Sequence, residues 1–219
     1  MAESFPMHIQ TFTLGEWMTN CFVLHEDGEA AQGKRPCWII DAGFRPEPMT
    51  AYIKKNELEP KAVLLTHAHL DHIAGLTALR MYWPDLPILI HQSEESFLVD
   101  PLLNLSVILE EPIIVPAATG FLTHGQEMTI AGRKCKLRHT PGHSPGGITF
   151  YFPDDKLAIV GDTLFAGGVG RTDFPTSDHD LLFKSIHDQL MTLPDDTTIL
   201  PGHGPQSTIG QERKFNPFL

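Results

Sequence analysis

The run Thr66-His67-Ala68-His69-Leu70-Asp71-His72 places three imidazoles and a carboxylate within six residues. Imidazole nitrogens and carboxylate oxygens are the donors that borderline divalent metals take. Histidines at i and i+2 do not share a helix face. His67 and His69 therefore converge on one ion only where the backbone is a loop or an extended strand end. The run follows the apolar stretch Lys61-Ala-Val-Leu-Leu65, and α/β sheets place ligand sites just beyond the carboxyl ends of their strands. Asp71 and His72 then open an expected helix, 73–82, and serve a second ion. Seven residues thus suggest two adjacent metal ions.

Three further donors follow β-like segments, each beside glycine: His143 in Thr140-Pro-Gly-His-Ser-Pro-Gly146, Asp162 in Gly161-Asp-Thr163, and His203 in Pro201-Gly-His-Gly204. Glycine lets a backbone turn tightly and approach a ligand closely. Together with the first cluster they make two sites. His67, His69 and His143 hold one ion, Asp71, His72 and His203 the other, and Asp162 bridges them. A set of N and O donors without thiolate suits zinc first, with iron or manganese as alternatives. Gly142-His-Ser-Pro-Gly146 also matches the G-x-S-x-G nucleophile elbow. That elbow needs the N–H of the residue after the serine, which here is Pro145, and proline has none. It also leads into a helix, whereas 147–152 reads as a strand, so a serine hydrolase is not expected.

The elements that must position these donors alternate between strand and helix. Strands are expected at 8–14, 21–24, 37–40, 62–65 and 87–90, with 26–35 as the hairpin turn and a helix at 49–56. The stretch 93–109 is mixed and partly helical, interrupted by Pro101, and 111–125 reads as connection. The second half repeats the pattern, with strands at 127–130, 133–139, 147–152, 157–160 and 198–200 and a helix at 178–190. Two such halves predict an α/β sandwich with sheets inside and helices outside. The 219 residues, 42% hydrophobic and 20% charged, fit one globular domain, 1–219.

A net charge of −11 opposes nucleic-acid binding, which needs a basic footprint. It does not oppose an anionic substrate, because bound divalent ions are the largest local charges in such a site. Met1-Ala-Glu-Ser-Phe-Pro6 lacks the features of an export signal, and no stretch approaches the roughly 18 apolar residues of a membrane span. A cytoplasmic protein without a membrane partner is expected, and no feature fixes an oligomeric state. Cys21, Cys37 and Cys135 form no C-x-x-C pair and read as small buried residues in a reducing compartment.

The order His67-x-His69-x-Asp71-His72, His143, Asp162, His203 resembles the metallo-β-lactamase superfamily. The resemblance implies an αββα four-layer sandwich with the seven residues as metal ligands. Gly161-Asp-Thr-Leu-Phe165, Gly168-Val-Gly-Arg-Thr-Asp-Phe174 and the tail from Gly202 to Phe218 are similar to short bacterial glyoxalase II-like hydrolases. Glyoxalase II proper carries a C-terminal helical region that contacts glutathione, whereas the sequence given continues for only 16 residues after His203. Ala68 also stands where glyoxalase II usually has another His.

The expectation is a metal-dependent hydrolase cleaving S-acylglutathione-type thioesters such as S-lactoylglutathione, its small-molecule partner. Two metals roughly 3.5–4 Å apart share a hydroxide that attacks the carbonyl, and Asp71 and Asp162 are the catalytic carboxylates. A thiolate with a pKa near 8.5 departs without a strong acid. Asp41 either orients a His ligand through its ring N–H or makes a local turn before Gly43. Arg171 either pairs with a substrate carboxylate or with Asp173 or Asp178. Histidines 8, 25, 91, 124, 139, 179 and 187 are left as structural or solvated, with His139 the nearest exception.

The main alternative is a mononuclear iron persulfide dioxygenase of the same superfamily, using His67, His143 and Asp162 as two His and one carboxylate. A secreted β-lactamase would need export. A structural metal module would have a closed four-ligand site and would unfold on chelation.

Overall fold

In the computed structural model, which describes residues 6–28 and 33–219, the chain lays down strands β1 (Met7–Leu14), β2 (Thr19–Glu26) and β3 (Arg35–Ile40), then helix α1 (Glu47–Lys55) and strand β4 (Leu58–Leu64). Residues 29–32 of the expected turn and 1–5 of the start lie outside the described residues. Helices α2 (Leu70–Ile73) and α3 (Leu76–Tyr82) lead to β5 (Ile88–His91) and β6 (Gly120–Leu122). Strands β7 (Glu127–Ile130), β8 (Arg133–His139), β9 (Ile148–Phe152) and β10 (Leu157–Gly161) follow. A small ribbon, β11 (Leu164–Phe165) with β12 (Gly168–Val169), precedes α4 (His179–Ser185), β13 (Thr198–Pro201), β14 (Ser207–Thr208) and α5 (Ile209–Phe215).

The long strands make two six-stranded sheets, ordered β1-β2-β3-β4-β5-β6 and β14-β13-β10-β9-β8-β7. Side-chain alternation divides the core. Phe22, Leu24, Ile40 and Leu64 of the first sheet pack with Leu137, Phe150, Phe152 and Ile159 of the second. The alternate residues Val23, Ile39 and Val63 face Ile53 of α1 and Leu76 and Leu79 of α3. On the far side, Val160 and Ile199 meet Leu182 of α4 and Ile209 of α5. A strand buried on both faces reads as an unbroken apolar run, as Cys21-Phe-Val-Leu24 does within β2. Three apolar layers between four layers of elements make the expected αββα sandwich.

Several boundaries differ from expectation. The helix expected at 73–82 is two pieces, and Asp71 and His72 lie within the first. The break falls at Gly75, where an added Cβ would sit 2.5 Å from the Gly43 carbonyl oxygen, so two loops pack backbone to backbone. The connection 111–125 contains β6, paired parallel to β5. The helix expected at 178–190 is α4, capped by the Asp178 side chain on the Leu181 N–H, and it runs on as a wider π turn over Ile186–Leu190. The β11–β12 ribbon and α5 carry too few periodic residues to announce themselves. Cys21, Cys37 and Cys135 are buried and unpaired. No described helix is long and apolar enough to cross a membrane.

Strands β3 and β4 run parallel, as do β10 and β13. β8 and β10 are both antiparallel to β9. The carboxyl ends of strands in both sheets therefore open onto one edge of the sandwich, where Asp41, the 66–72 loop, the 140–146 loop, Asp162 and His203 all emerge.

Candidate metal centre

The seven expected ligands meet at that edge. Ligand atoms of His67, His69 and His143 lie within 4.8 Å of one another, as do those of Asp71, His72 and His203, and those of His67, His72 and Asp162. Asp162 spans the two groups. Its Oδ1 is 3.5 Å from His72 Nε2, and its Oδ2 is 3.7 Å from His143 Nε2 and 3.3 Å from His203 Nε2. The His67 and His72 rings are 4.1 Å apart, which sets the groups side by side. His67 Nε2, His72 Nε2 and Asp162 Oδ1 are buried with no hydrogen-bond partner. Buried polar atoms are normally paired, and three orphans gathered on one point fit a divalent cation. Gly202 leaves the room, since a Cβ there would lie 2.1 Å from Asp162 Oδ1.

The protein frame aims these donors. Asp41, at the end of β3, has φ = 59°, a conformation costly for a residue other than glycine. Its Oδ1 accepts the Thr66 N–H at 2.8 Å, and its Oδ2 accepts the Thr66 hydroxyl at 2.7 Å and faces His72 Nδ1 at 2.8 Å. The carboxylate thus fixes both the start of the His loop and the tautomer of His72, in place of a local turn. His143 Nδ1 bonds the Arg171 carbonyl at 2.9 Å, and His203 Nδ1 bonds the Trp17 carbonyl at 3.0 Å.

Burial drives the imidazoles of His67, His69 and His143 toward neutrality, His69 to about 3. Neutral imidazole is the ligating form. Burial also opposes the charge on His72 and His203, but the Asp71 and Asp162 carboxylates outweigh it and raise both, His203 to about 10. Burial likewise opposes ionised Asp71 and Asp162, yet His72 and the His203 hydrogen bond hold Asp71 at about 2 and Asp162 well below its usual range. Metal binding to such groups is coupled to release of their protons.

Arg171 pairs with Asp173, the second of its two expected partners. Its Nε and Nη2 donate to the two Asp173 oxygens at 2.9 and 2.8 Å. Ser144 has a buried hydroxyl with no partner and leads toward β9 rather than a helix. His139 bonds the Pro145 carbonyl at 2.9 Å and stacks on His91, a structural role.

Two supports escape a reading of the sequence. Thr19 donates its hydroxyl to Asp71 Oδ2 at 2.7 Å. Glu94, fully buried, accepts the Ala68 N–H at 2.6 Å and the Gly146 N–H at 2.7 Å, tying the His67–His69 loop to the His143 loop. Glu94 is one of 27 acidic residues, in a segment without clear periodicity, so nothing local marks it.

At the cluster lies a cavity of about 320 Å³ lined by His69, Asp71, His143, Asp162 and His203 together with Arg171 and apolar side chains. A family model described as the metallo-beta-lactamase superfamily matches residues 14–203. The chain is 39% identical over 207 residues to a "Probable metallo-hydrolase YqgX" of Bacillus subtilis, with 94% of each chain covered. It is 35% identical over 219 residues to "Hydroxyacylglutathione hydrolase GloC" of Haemophilus influenzae, covering 97% of this chain and 98% of that one. Among solved structures, BLEG-1 B3 metallo-beta-lactamase superposes with a TM-score of 0.88 at 39% identity, covering 97% of this chain and 99% of that one. TTHA1623, solved in a di-iron-bound form, superposes with a TM-score of 0.81 at 35% identity, covering 96% and 100%. The sandwich, the cluster at its edge and a family match running from β1 to His203 lead to one conclusion: the chain belongs to the metallo-β-lactamase superfamily.

Proposed function

We propose that this metallo-hydrolase cleaves thioesters of the S-acylglutathione type at a centre holding two divalent ions. The observation that carries the reading is the position of Asp162, whose Oδ2 lies 3.7 Å from His143 Nε2 of one donor group and 3.3 Å from His203 Nε2 of the other, while its Oδ1 lies 3.5 Å from His72 Nε2. His67, His69 and His143 would hold one ion, Asp71, His72 and His203 the second, with Asp162 common to both. Zinc suits the donor set, and the di-iron form of a relative makes iron an equal candidate. When bound, such ions lower the pKa of water to about 7 and polarise a carbonyl oxygen.

The chain's own groups do the rest. Asp71 and Asp162, held ionised, border the cavity, where their negative charge would hold the ions and orient the attacking water. Leu105, Phe165 and Phe174 give the cavity an apolar lining beside the donors, which would strengthen the electrostatics there once a substrate displaces water. The leaving thiolate, with a pKa near 8.5, needs no acid from the protein. A relative named hydroxyacylglutathione hydrolase, alike over nearly its whole length, supports the substrate class.

The test is hydrolysis of S-lactoylglutathione and simple S-acylglutathiones by protein loaded separately with Zn²⁺, Mn²⁺ and Fe²⁺. Chelator-sensitive turnover is expected. No thioester hydrolysis with any metal, together with oxygen uptake on glutathione persulfide, would replace the reading with the dioxygenase one.

A further inference from the structure

Apart from the donors and Arg171, the lining of the cavity is carbon. Trp17, Leu105, Ile108, Phe165 and Phe174 form it. Ile108 is 73% exposed and Trp17 39%, and Leu102, Val107 and Ile114 on the same excursion are also exposed. Apolar surface gathered around a concave site marks what the site binds.

This wall is built into the fold. Leu105 has φ = 68°, the left-handed region that a branched residue enters only when its surroundings compel it. The buried Asn104 compels it. Its Nδ2 donates to the carbonyls of Phe97 and Ile113 at 2.8 and 3.0 Å, and its Oδ1 accepts the Ser106 N–H at 3.0 Å. The Asn104 carbonyl in turn accepts the Leu70 N–H at 2.9 Å. The excursion is therefore keyed to α2, the helix that carries Asp71 and His72. Apolar wall and candidate ligands are held in one register.

Charge separates the two ends of an S-acylglutathione. Glutathione carries two carboxylates and an ammonium, and a site that grips it presents open cationic forks to those carboxylates. Among the described residues lining the cavity, Arg171 is the one with a permanent positive charge. Its Nε and Nη2 edge pairs with Asp173, whose carboxylate offsets that charge beside the cavity. A glutathione carboxylate there would share Arg171 with the ionised Asp173 two residues away, and the other described lining residues offer it no permanently cationic fork.

Resting on the thioesterase reading, we infer that Trp17, Leu105, Ile108, Phe165 and Phe174 form an acyl subsite selecting thioesters with apolar aliphatic or aromatic acyl groups. The thiol part points to solvent and is weakly recognised. The lactoyl group, short and hydroxylated, is a poor match for this wall.

The experiment uses metal-reconstituted protein and the series S-acetyl-, S-lactoyl-, S-butyryl-, S-hexanoyl- and S-benzoylglutathione. Burying a methylene predicts about a two- to fourfold rise in kcat/KM per carbon, so hexanoyl exceeds acetyl by at least about tenfold. S-lactoylglutathione falls near the acetyl end. Hexanoyl carried on N-acetylcysteamine keeps kcat/KM within about threefold, since little of the thiol is gripped. The inert thioether S-hexylglutathione inhibits at lower concentration than S-methylglutathione. Ile108→Ser, at an exposed position that carries no packing, flattens the chain-length gradient. A flat or falling gradient with S-lactoylglutathione as the best substrate would overturn the acyl subsite and leave the thioesterase reading standing. A tenfold or greater loss on replacing glutathione would overturn the weak recognition of the thiol part. No hydrolysis of any thioester would overturn both.

Discussion

Asp162 leaves β10 through Gly161 and turns its two oxygens toward different histidines, so one side chain serves both groups of donors. Asp162→Ala should lower kcat for thioester hydrolysis by about 10³-fold, on the scale of losing a principal charge-stabilising group. Near-native turnover would mean that the two groups do not act as one centre. Asp41 works at one remove, through His72 Nδ1 and the Thr66 N–H and hydroxyl. Asp41→Asn should cost about 10- to 100-fold in metal affinity or activity, read by metal titration beside circular dichroism to show that the fold persists. Ser144→Ala should leave turnover largely intact, and a loss of several orders of magnitude would revive the serine elbow. At this scale the sequence is unusually legible for the clustered donors, because each of the seven sits in a dense His cluster or beside glycine just after a β-like segment. It is silent on Thr19 and Glu94, whose importance comes from residues 52 and 26 or more positions away.

Element by element, the site depends on loops at one edge of the two sheets being locked together. Glu94 joins the loop after β4 to the loop after β8, and Asn20 in β2 donates to the carbonyls of Pro201 and Gly204 around His203. Glu94→Ala would strand two buried N–H groups, each worth about 1–3 kcal/mol. A fall in the urea midpoint with unchanged m-value is the expected signature, and an unchanged midpoint would show that water replaces the carboxylate without penalty. The long apolar strands and α1 are legible because their burial is set by period and composition. The breaks are not. Gly75 splits a helix because another backbone approaches it, β6 is three residues long and exists by pairing with β5, and the wall at Leu105 is shaped by Asn104 from beneath. Each is decided by tertiary contact, which no local pattern encodes.

For the whole molecule, three apolar layers hold the sandwich independently of the edge where the donors meet. Chelation should therefore abolish hydrolysis while far-ultraviolet circular dichroism stays native. Unfolding on chelation would indicate a structural metal instead. The protons held by these groups give the stripped protein a pH signature. His203 has a folded pKa raised to about 10 against about 6.5 unfolded. A raised pKa contributes stability that is fully present below about 6.5 and is lost as pH rises through about 10. The Tm of stripped protein should fall across that window. The fall should be smaller in stripped His203→Ala, and in metal-loaded protein, whose ligating imidazoles are neutral. The central claim is a paired centre, and metal stoichiometry at saturation tests it most directly. Inductively coupled plasma analysis of reconstituted, desalted protein should return two divalent ions per chain. One ion per chain would contradict the account and fit a mononuclear centre.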